Sequence, residues 1–280
     1  MTGIFFMETS APIGVYDSGI GGLSVWNELR KELSAESMIY VADSANAPYG
    51  TKSRSFITGR SREITRFLID QGCKLIVVAC NTATGAAITT LRREFNLPFV
   101  GVEPAVKPAA MKSKTGHVGV LATAQTFKGE HFKRSIGLFA HSVELHERAG
   151  TGLVELIENG MIDSPETKEL LIKYLIPMVE QGIDQLVLGC THYPFLIPII
   201  QGILPAGIRI IDPAPAVARQ TRKVLEEHKG LNSKLSVVGY RFYTTGDPAS
   251  LSRVLEQLTG SQHLVTKLDG LPTAGSGQSS

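Results

Sequence analysis

The chain has 280 residues, 43% hydrophobic and 19% charged, with a formal net charge of +2. That length builds one large or two modest domains with a sizeable core, and so small a charge argues against a nucleic-acid or membrane-surface partner. Three cysteines, an odd number, argue against a disulfide framework and for the reduced thiols of a cytoplasmic protein. The opening MTGIFFMETSAP lacks the basic start of a signal peptide. A membrane span, which needs about 18 apolar residues in a row, is not expected.

Short apolar runs alternate with amphipathic segments. PIGVYD (12–17) reads as a buried strand, SGIGG as a turn and LSVWNELRKEL as a helix. SMIYVAD (37–43) is a second strand. The polar loop SANAPYGTKS leads into a helix near 53–70, with Phe56, Ile57, Ile64, Phe67 and Leu68 on one face. KLIVVAC (74–80) has no polar alternation, the mark of a strand buried on both faces of a parallel sheet. NTATGAAITTLRREF then reads as a helix and PFVGV (98–102) as a fourth strand, a βαβα series.

The pattern restarts at HVGVLAT (117–123), which echoes PIGVYDS (12–18): Gly14-Val15 aligns with Gly119-Val120, and Ser18 with Thr123. A strand near 142–145, helices near 151–159 and 165–181, and the strand QLVLGC complete a second series. RIIDPAPAVARQ (209–220) adds a strand and a helix, and VVGYRFYTT (237–245) a further strand. GDPASLSRVLEQLTG reads as a helix with Asp247 at its N-cap and Pro248 at its first position. The expected fold is therefore α/β: two similar sandwich domains with mainly parallel sheets related by pseudo-two-fold symmetry, and a site in the cleft between them. The first domain takes residues 12–105 plus a returning segment 213–265, the second 106–212. Residues 1–11 and 268–280 are expected to be flexible termini.

The most informative feature is a duplicated thiol. QGCKLIVVACNTA (71–83) and QGIDQLVLGCTHY (181–193) share Gln71/Gln181, Gly72/Gly182 and Cys80/Cys190. In open α/β sheets, ligands sit outside the carboxyl ends of the strands. Asp17, Ser18, Cys80, Asn81, Thr82, Thr123, Cys190, Thr191 and His192 all fall at such ends. A lone buried cysteine is most often packing, and Cys73, at the start of its strand, is read as structural. Two thiols at equivalent places, each followed by small polar residues and a predicted helix, suit one acid/base on each side of a planar intermediate. Asp17 is a helper base or a helix cap; His192 activates Cys190 or is structural. The neutral donors Ser18, Asn81, Thr82, Thr123 and Thr191 are caps singly, and a small-anion site as a set. DSGIGG does not fit the dinucleotide spacing G-x-G-x-x-G, which argues against a nicotinamide cofactor. Asp17, Cys80, Cys190 and His192 are chemically acceptable zinc ligands, but Cys-x-His is not a usual paired-ligand spacing, so a zinc site is the weaker reading.

The motifs GVYDSGIGGLSV, YVADSANAPYG, VVACNTATG, GVLAT, LGCTHYP, IIDPA and FYTTGDP resemble, in order and over residues 12 to 260, those of the glutamate racemases in the cofactor-independent aspartate/glutamate racemase superfamily. The resemblance implies that Cys80 and Cys190 are the acid/base thiols, that Asp17 assists the first and His192 the second, and that Ser18, Pro48, Tyr49, Gly50, Asn81, Thr82, Thr123 and Thr191 bind glutamate. It implies an assisting carboxylate before the second-domain helix, for which Glu158 is the match and Glu155 the alternative. HERAGTGLVELIEN departs there from the family's cysteine-proline version. A homodimer that takes L- and D-glutamate and supplies the D-isomer for peptidoglycan is also implied. The rivals are a racemase for aspartate, a binding protein that keeps the fold without turnover, and a dithiol redox protein.

Overall fold

The apolar runs at 13–17, 38–42 and 75–78 become strands in which every residue is buried, as a parallel sheet covered on both faces requires. The computed structural model describes residues 8–139, 143–232 and 237–270. The first series is β1 (Ile13–Asp17), α1 (Leu23–Glu32), β2 (Met38–Ala42), α2 (Arg54–Asp70), β3 (Leu75–Val78), α3 (Asn81–Glu94), β4 (Phe99–Gly101) and α4 (Val106–Lys112). The second is β5 (His117–Ala122), α5 (Ala124–Lys128), α6 (Glu130–Phe139), β6 (Glu144–Ala149), α7 (Leu153–Glu158), α8 (Pro165–Glu180), β7 (Gln185–Gly189), α9 (Ile197–Ile203), β8 (Arg209–Ile211) and α10 (Ala214–Glu227). β9 (Tyr240–Thr244), α11 (Pro248–Thr259) and β10 (Val265–Lys267) follow.

All strand pairs are parallel. The first sheet runs β10-β9-β2-β1-β3-β4 and the second β6-β5-β7-β8. The order β2-β1-β3-β4 is thus repeated as β6-β5-β7-β8, and the repeat seen in the sequence is a repeat of topology. β3 and β7, the strands that lead into the two thiols, hold equivalent places beside the central strands β1 and β5. β9 lies beside β2 in the first sheet, with Tyr240 registered on Met38.

Local chemistry sets the helix starts. Ser53 Oγ accepts the Phe56 N–H before α2, and Ser164 Oγ accepts the Thr167 N–H before α8, where Pro165 takes the first position. Asp247 caps α11 by accepting from the Ala249 N–H, with Pro248 next. One apolar cluster joins the halves: Trp26 and Leu29 of α1, Phe242 of β9, Leu153 and Ile157 of α7, and Leu186 and Leu188 of β7 belong to it.

The expectations needed correction at several places. The strand placed near 142–145 lies at Glu144–Ala149, and residues 140–142 are outside the described set. β6 is an edge strand with no fully buried residue, so ELHERA carries no apolar stripe to announce it. α4, α5, α6 and β10 were not anticipated. Pro108 sits in the first turn of α4, where its missing N–H has no intrahelical partner to lose. The strand read over 237–245 starts at Tyr240. Most of the terminal segments 1–11 and 268–280 lies outside the described residues. Among the described residues, no helix is long and apolar enough to cross a membrane.

Below the first sheet, Lys74 and Glu36 form a buried ion pair at 2.6 Å. Lys74 Nζ also donates to the carbonyls of Thr9 and Gly230, and Glu36 Oε1 accepts the Asn232 N–H. The pair therefore ties four distant segments together, around residues 9, 36, 74 and 230. Lys74→Met leaves the Glu36 carboxylate buried without its counter-charge, an error that costs about 3–5 kcal/mol. Urea unfolding should show a lowered midpoint, with much of the loss recovered in Lys74→Met/Glu36→Leu. An unchanged midpoint for the single variant would contradict this role.

Candidate active site

Both thiols stand at carboxyl ends of strands. On the first wall, Cys80 is the N-cap of α3: its Sγ accepts the Ala83 N–H at 3.4 Å. That places the sulfur at the positive end of a helix, where a thiolate is favoured. Sγ also reaches Ser18 Oγ at 3.7 Å, and Ser18 Oγ reaches Asp17 Oδ1 at 3.5 Å. A chain of polar groups thus runs from thiol to carboxylate. Burial, reinforced by the Asp17 charge, pushes the Cys80 thiol far up, so it rests protonated.

Asp17 is fully buried at the end of β1. Oδ1 accepts the Gly19 N–H at 2.8 Å, and Oδ2 accepts the Thr191 hydroxyl at 3.0 Å. Burial pushes its carboxyl up to about 6, against the opposing pull of His192, the Gly19 N–H and Thr191. An Asp17 that takes the Cys80 proton must be ionised to do so, and in that role turnover with Cys80 as base should fall as pH drops through about 6. Stability has the opposite sign. The raised pKa favours the fold below the unfolded carboxyl value, and that contribution is lost as pH rises through about 6. The pH profile of kcat should show this acid limb, and Asp17→Asn should remove it along with most of the activity in that direction. An unshifted limb in Asp17→Asn would refute the assignment.

The second wall is built differently. Cys190 follows β7 but does not start a helix directly. A 3-10 turn at Tyr193–Leu196 intervenes before α9, which corrects the expectation that both thiols would sit alike. The neighbour of Cys190 is an imidazole: His192 Nδ1 lies 3.8 Å from Sγ, and Nε2 lies 2.6 Å from Glu158 Oε1. Burial pulls the His192 ring down, but the hydrogen bonds to Cys190 and Glu158 and the Glu158 charge overcome it, so the net shift is well upward. His192 is thereby held as an imidazolium between a sulfur and a carboxylate. Glu158 stands at the end of α7 and also accepts the Ile20 N–H at 2.8 Å. Glu155, one turn earlier on α7, lines an adjoining cavity with Pro48, Gly50 and Thr123.

The turn SGIGG joins the two walls. Tyr40, a buried tyrosine of β2, donates its hydroxyl to the Gly19 carbonyl at 2.7 Å. A Cβ on Gly19 would overlap the Glu158 carboxylate, and one on Gly21 would overlap the His192 ring. A side chain at either position would therefore force Glu158 or His192 to move from its place. Ser24 Oγ, in the first turn of α1, donates to the Thr191 carbonyl and fixes the loop between Cys190 and His192. The sequence marks SGIGG as a turn; its contacts show that the turn also seats Glu158 and His192 of the second wall.

Between the walls lies a narrow cleft lined by Ser18, Pro48, Tyr49, Gly50, Cys80, Asn81, Thr82, Thr123, Val154, Cys190, Thr191 and His192. The structure thus brings together every residue named from the sequence, with Asp17 and Glu158 one layer behind. Asn81 is buried there with neither its amide nitrogen nor its carbonyl oxygen bonded to the protein. Unpaired buried polar atoms are costly, so they point to a polar ligand. Thr82, Thr123 and Thr126 form a hydroxyl cluster at 2.8–3.4 Å. Tyr49 is oriented by its hydroxyl bond to Asp43 at 2.6 Å, and Arg60 in turn holds Asp43. Thr126, Val154, Tyr40 and Ile20 were not singled out from the sequence; only the fold carries them to the site. Cys73 packs under Gly14, away from the cleft, and burial pushes its thiol up to about 12.

Comparison with known proteins agrees with this architecture. The Asp/Glu/Hydantoin racemase model matches residues 13–221. A glutamate racemase of Stutzerimonas stutzeri is 47% identical over 259 residues, covering 92% of this chain and 97% of that protein. The crystal structure of Escherichia coli glutamate racemase in complex with L-glutamate and an activator, UDP-MurNAc-ala, superposes with a TM-score of 0.82 at 34% identity, covering 92% of this chain and 98% of that one. Glutamate racemase of Francisella tularensis in complex with D-glutamate gives 0.81 at 32% identity, covering 94% and 98%. The chain belongs to the Asp/Glu/Hydantoin racemase family, among its glutamate racemases.

Proposed function

We propose that the cleft interconverts L- and D-glutamate by a two-thiol mechanism in which Cys80 and Cys190 address opposite faces of Cα. The observation that carries this reading is the pair of buried thiols on two walls of one cleft, each beside its own chain of polar groups. In one direction Cys80 passes its proton by way of Ser18 toward Asp17 and, as thiolate, takes the Cα proton. The Cys190 thiol gives a proton to the other face, and its sulfur is left as a thiolate beside the His192 imidazolium. In the reverse direction Cys190 is the base and Cys80 the acid. Each step moves one proton, and solvent exchange at the thiols resets the pair.

The Cα proton of an amino acid is weakly acidic, so the carbanion-like state needs stabilising dipoles. The α3 N-terminus and the hydroxyls of Ser18, Thr82, Thr123 and Thr191 supply neutral donors for the substrate carboxylates. The Asn81 amide serves as a donor or acceptor at the substrate's polar groups. The positive α-ammonium of the substrate favours the thiolate that burial opposes. Asn81→Ala should lower kcat/KM for glutamate by about 10–100-fold, as loss of a hydrogen bond to a charged group of about 1.5–3 kcal/mol implies. Wild-type kcat/KM in this variant would remove Asn81 from the substrate contacts.

The domain division at 12–105 plus 213–265 and 106–212 sets one thiol on each domain, so domain closure positions both. The reading extends to a cytoplasmic homodimer that supplies D-glutamate for peptidoglycan. Incubation with the four enantiomers of glutamate and aspartate tests the substrate: optical rotation should decay for both glutamates only. Faster inversion of aspartate would move the chain to the aspartate reading, and inertness toward both would favour a binding protein.

A further inference from the structure

The cleft lies at the carboxyl ends of the strands, and a second cluster of reactive side chains lies at the opposite ends. His117 opens β5 and is registered beside Glu144, the first residue of the edge strand β6. His146 follows two residues later, so the period-two alternation of a strand puts it on the same face as Glu144. His117 Nδ1 lies 3.0 Å from His146 Nε2 and 3.8 Å from Glu144 Oε2. One ligand atom from each of the three residues falls within 4.8 Å of the other two. The racemisation chemistry uses none of these groups.

We propose that His117, Glu144 and His146 bind one divalent transition-metal ion, zinc foremost, which staples the edge strand β6 to β5. A tetrahedral ion with bonds of about 2.0–2.2 Å to nitrogen and oxygen holds its ligand atoms about 3.3 Å apart. The observed separations of 3.0 and 3.8 Å bracket that value, so modest side-chain rotation completes the set. Two imidazoles and one carboxylate suit zinc, cobalt, nickel or copper, whereas magnesium and calcium prefer all-oxygen sets. Both histidines are half-buried and Glu144 is exposed, which leaves a coordination position open to water. At about 3.3 Å per strand residue, the site stands roughly 15–20 Å from the cleft, too far for the ion to touch the substrate. Its role is to pin an edge strand that pairs on one side only.

The test titrates chelator-treated full-length protein with Co2+ and reads its visible absorption, with a Zn2+ thermal-shift series in parallel. The expected result is one Co2+ per chain in a nitrogen/oxygen field, with no intense thiolate-to-metal charge-transfer band. His146→Gln and Glu144→Gln should each weaken binding by at least about 10-fold. Zn2+ should raise the melting temperature of the wild type but not of His146→Gln, since only an ion that binds the folded state stabilises it. Glu144 is exposed, so Glu144→Gln folds even if the histidine variant is impaired, and racemase activity without added metal serves as the folding check. Undiminished Co2+ binding in both variants would overturn the proposal. So would a thiolate charge-transfer band lost with Cys80 and Cys190, or no binding at all, which would leave His117 and His146 as a simple hydrogen-bonded pair.

Discussion

Cys80→Ala and Cys190→Ala should each lower kcat for glutamate racemisation by at least about 10^3-fold in both directions, within the range for a lost general acid or base. The effect is large because inversion needs both thiols in every cycle: one removes the Cα proton while the other delivers one. Loss of either therefore stops both directions, and the double variant should be hardly slower than the single ones, as for groups that act as a unit. Neither change should unfold the chain. Each sulfur is buried at the edge of a core and faces the cleft, and alanine leaves β3, β7 and α3 in place. Racemisation assays beside far-ultraviolet circular dichroism check this. Near-normal turnover by either folded variant would sink the two-thiol mechanism.

Gly21→Ala should cost about 100-fold in kcat with little change in KM. The added methyl would occupy the place of the His192 ring, so the imidazole must move away from Cys190 Sγ, from Glu158 or from both. A misplacement of about 1 Å in a catalytic group is enough for a loss of that size. The substrate donors proposed on the first wall, Ser18, Asn81 and Thr82, are not touched, so ground-state binding should persist. Gly19→Ala should act similarly through Glu158, which a Cβ there would displace. A purely structural glycine would give a destabilised chain with normal kcat. Steady-state kinetics in both directions, together with melting temperature, separates the two. Wild-type kcat in a folded Gly21→Ala variant would contradict the positioning role.

Much of the architecture was legible because the buried parallel strands announce themselves. GVYD, LIVV and LVLG have no polar alternation, and their equivalence across the two halves was visible as Gln-Gly and a terminal cysteine at the same spacing. β6 was misplaced because an edge strand exposed on both faces needs no apolar pattern. α4 was missed because a seven-residue helix is too short to show a helical apolar period.

At the site, strand ends gave Asp17, Cys80 and Cys190, since a ligand cleft in such a fold lies where strands stop. The resemblance to glutamate racemases supplied Glu158 and Glu155 as candidates. The structure sets Glu158 against His192 and Glu155 at the cavity mouth. No periodicity could have separated them, because residues three apart on a helix point in similar directions. The glycine turn was legible as a turn but not as a support, because its partners, Glu158 and His192, lie far away in sequence. The different surroundings of the two thiols were hidden for the same reason. Repeated sequence suggested alike sites, whereas folding gave one thiol a helix N-terminus and the other an imidazolium.

The central claim is that two different groups handle the departing and arriving protons. The measurement that tests it most directly is the fate of the Cα hydrogen during the first few per cent of turnover in heavy water, starting from L- or D-glutamate. Two thiols predict that the newly formed enantiomer carries solvent deuterium at Cα from the outset while unreacted substrate keeps its hydrogen, and that the pattern is the same from either side. Product that retains the substrate's own Cα hydrogen would show one group serving both faces, and would contradict the account.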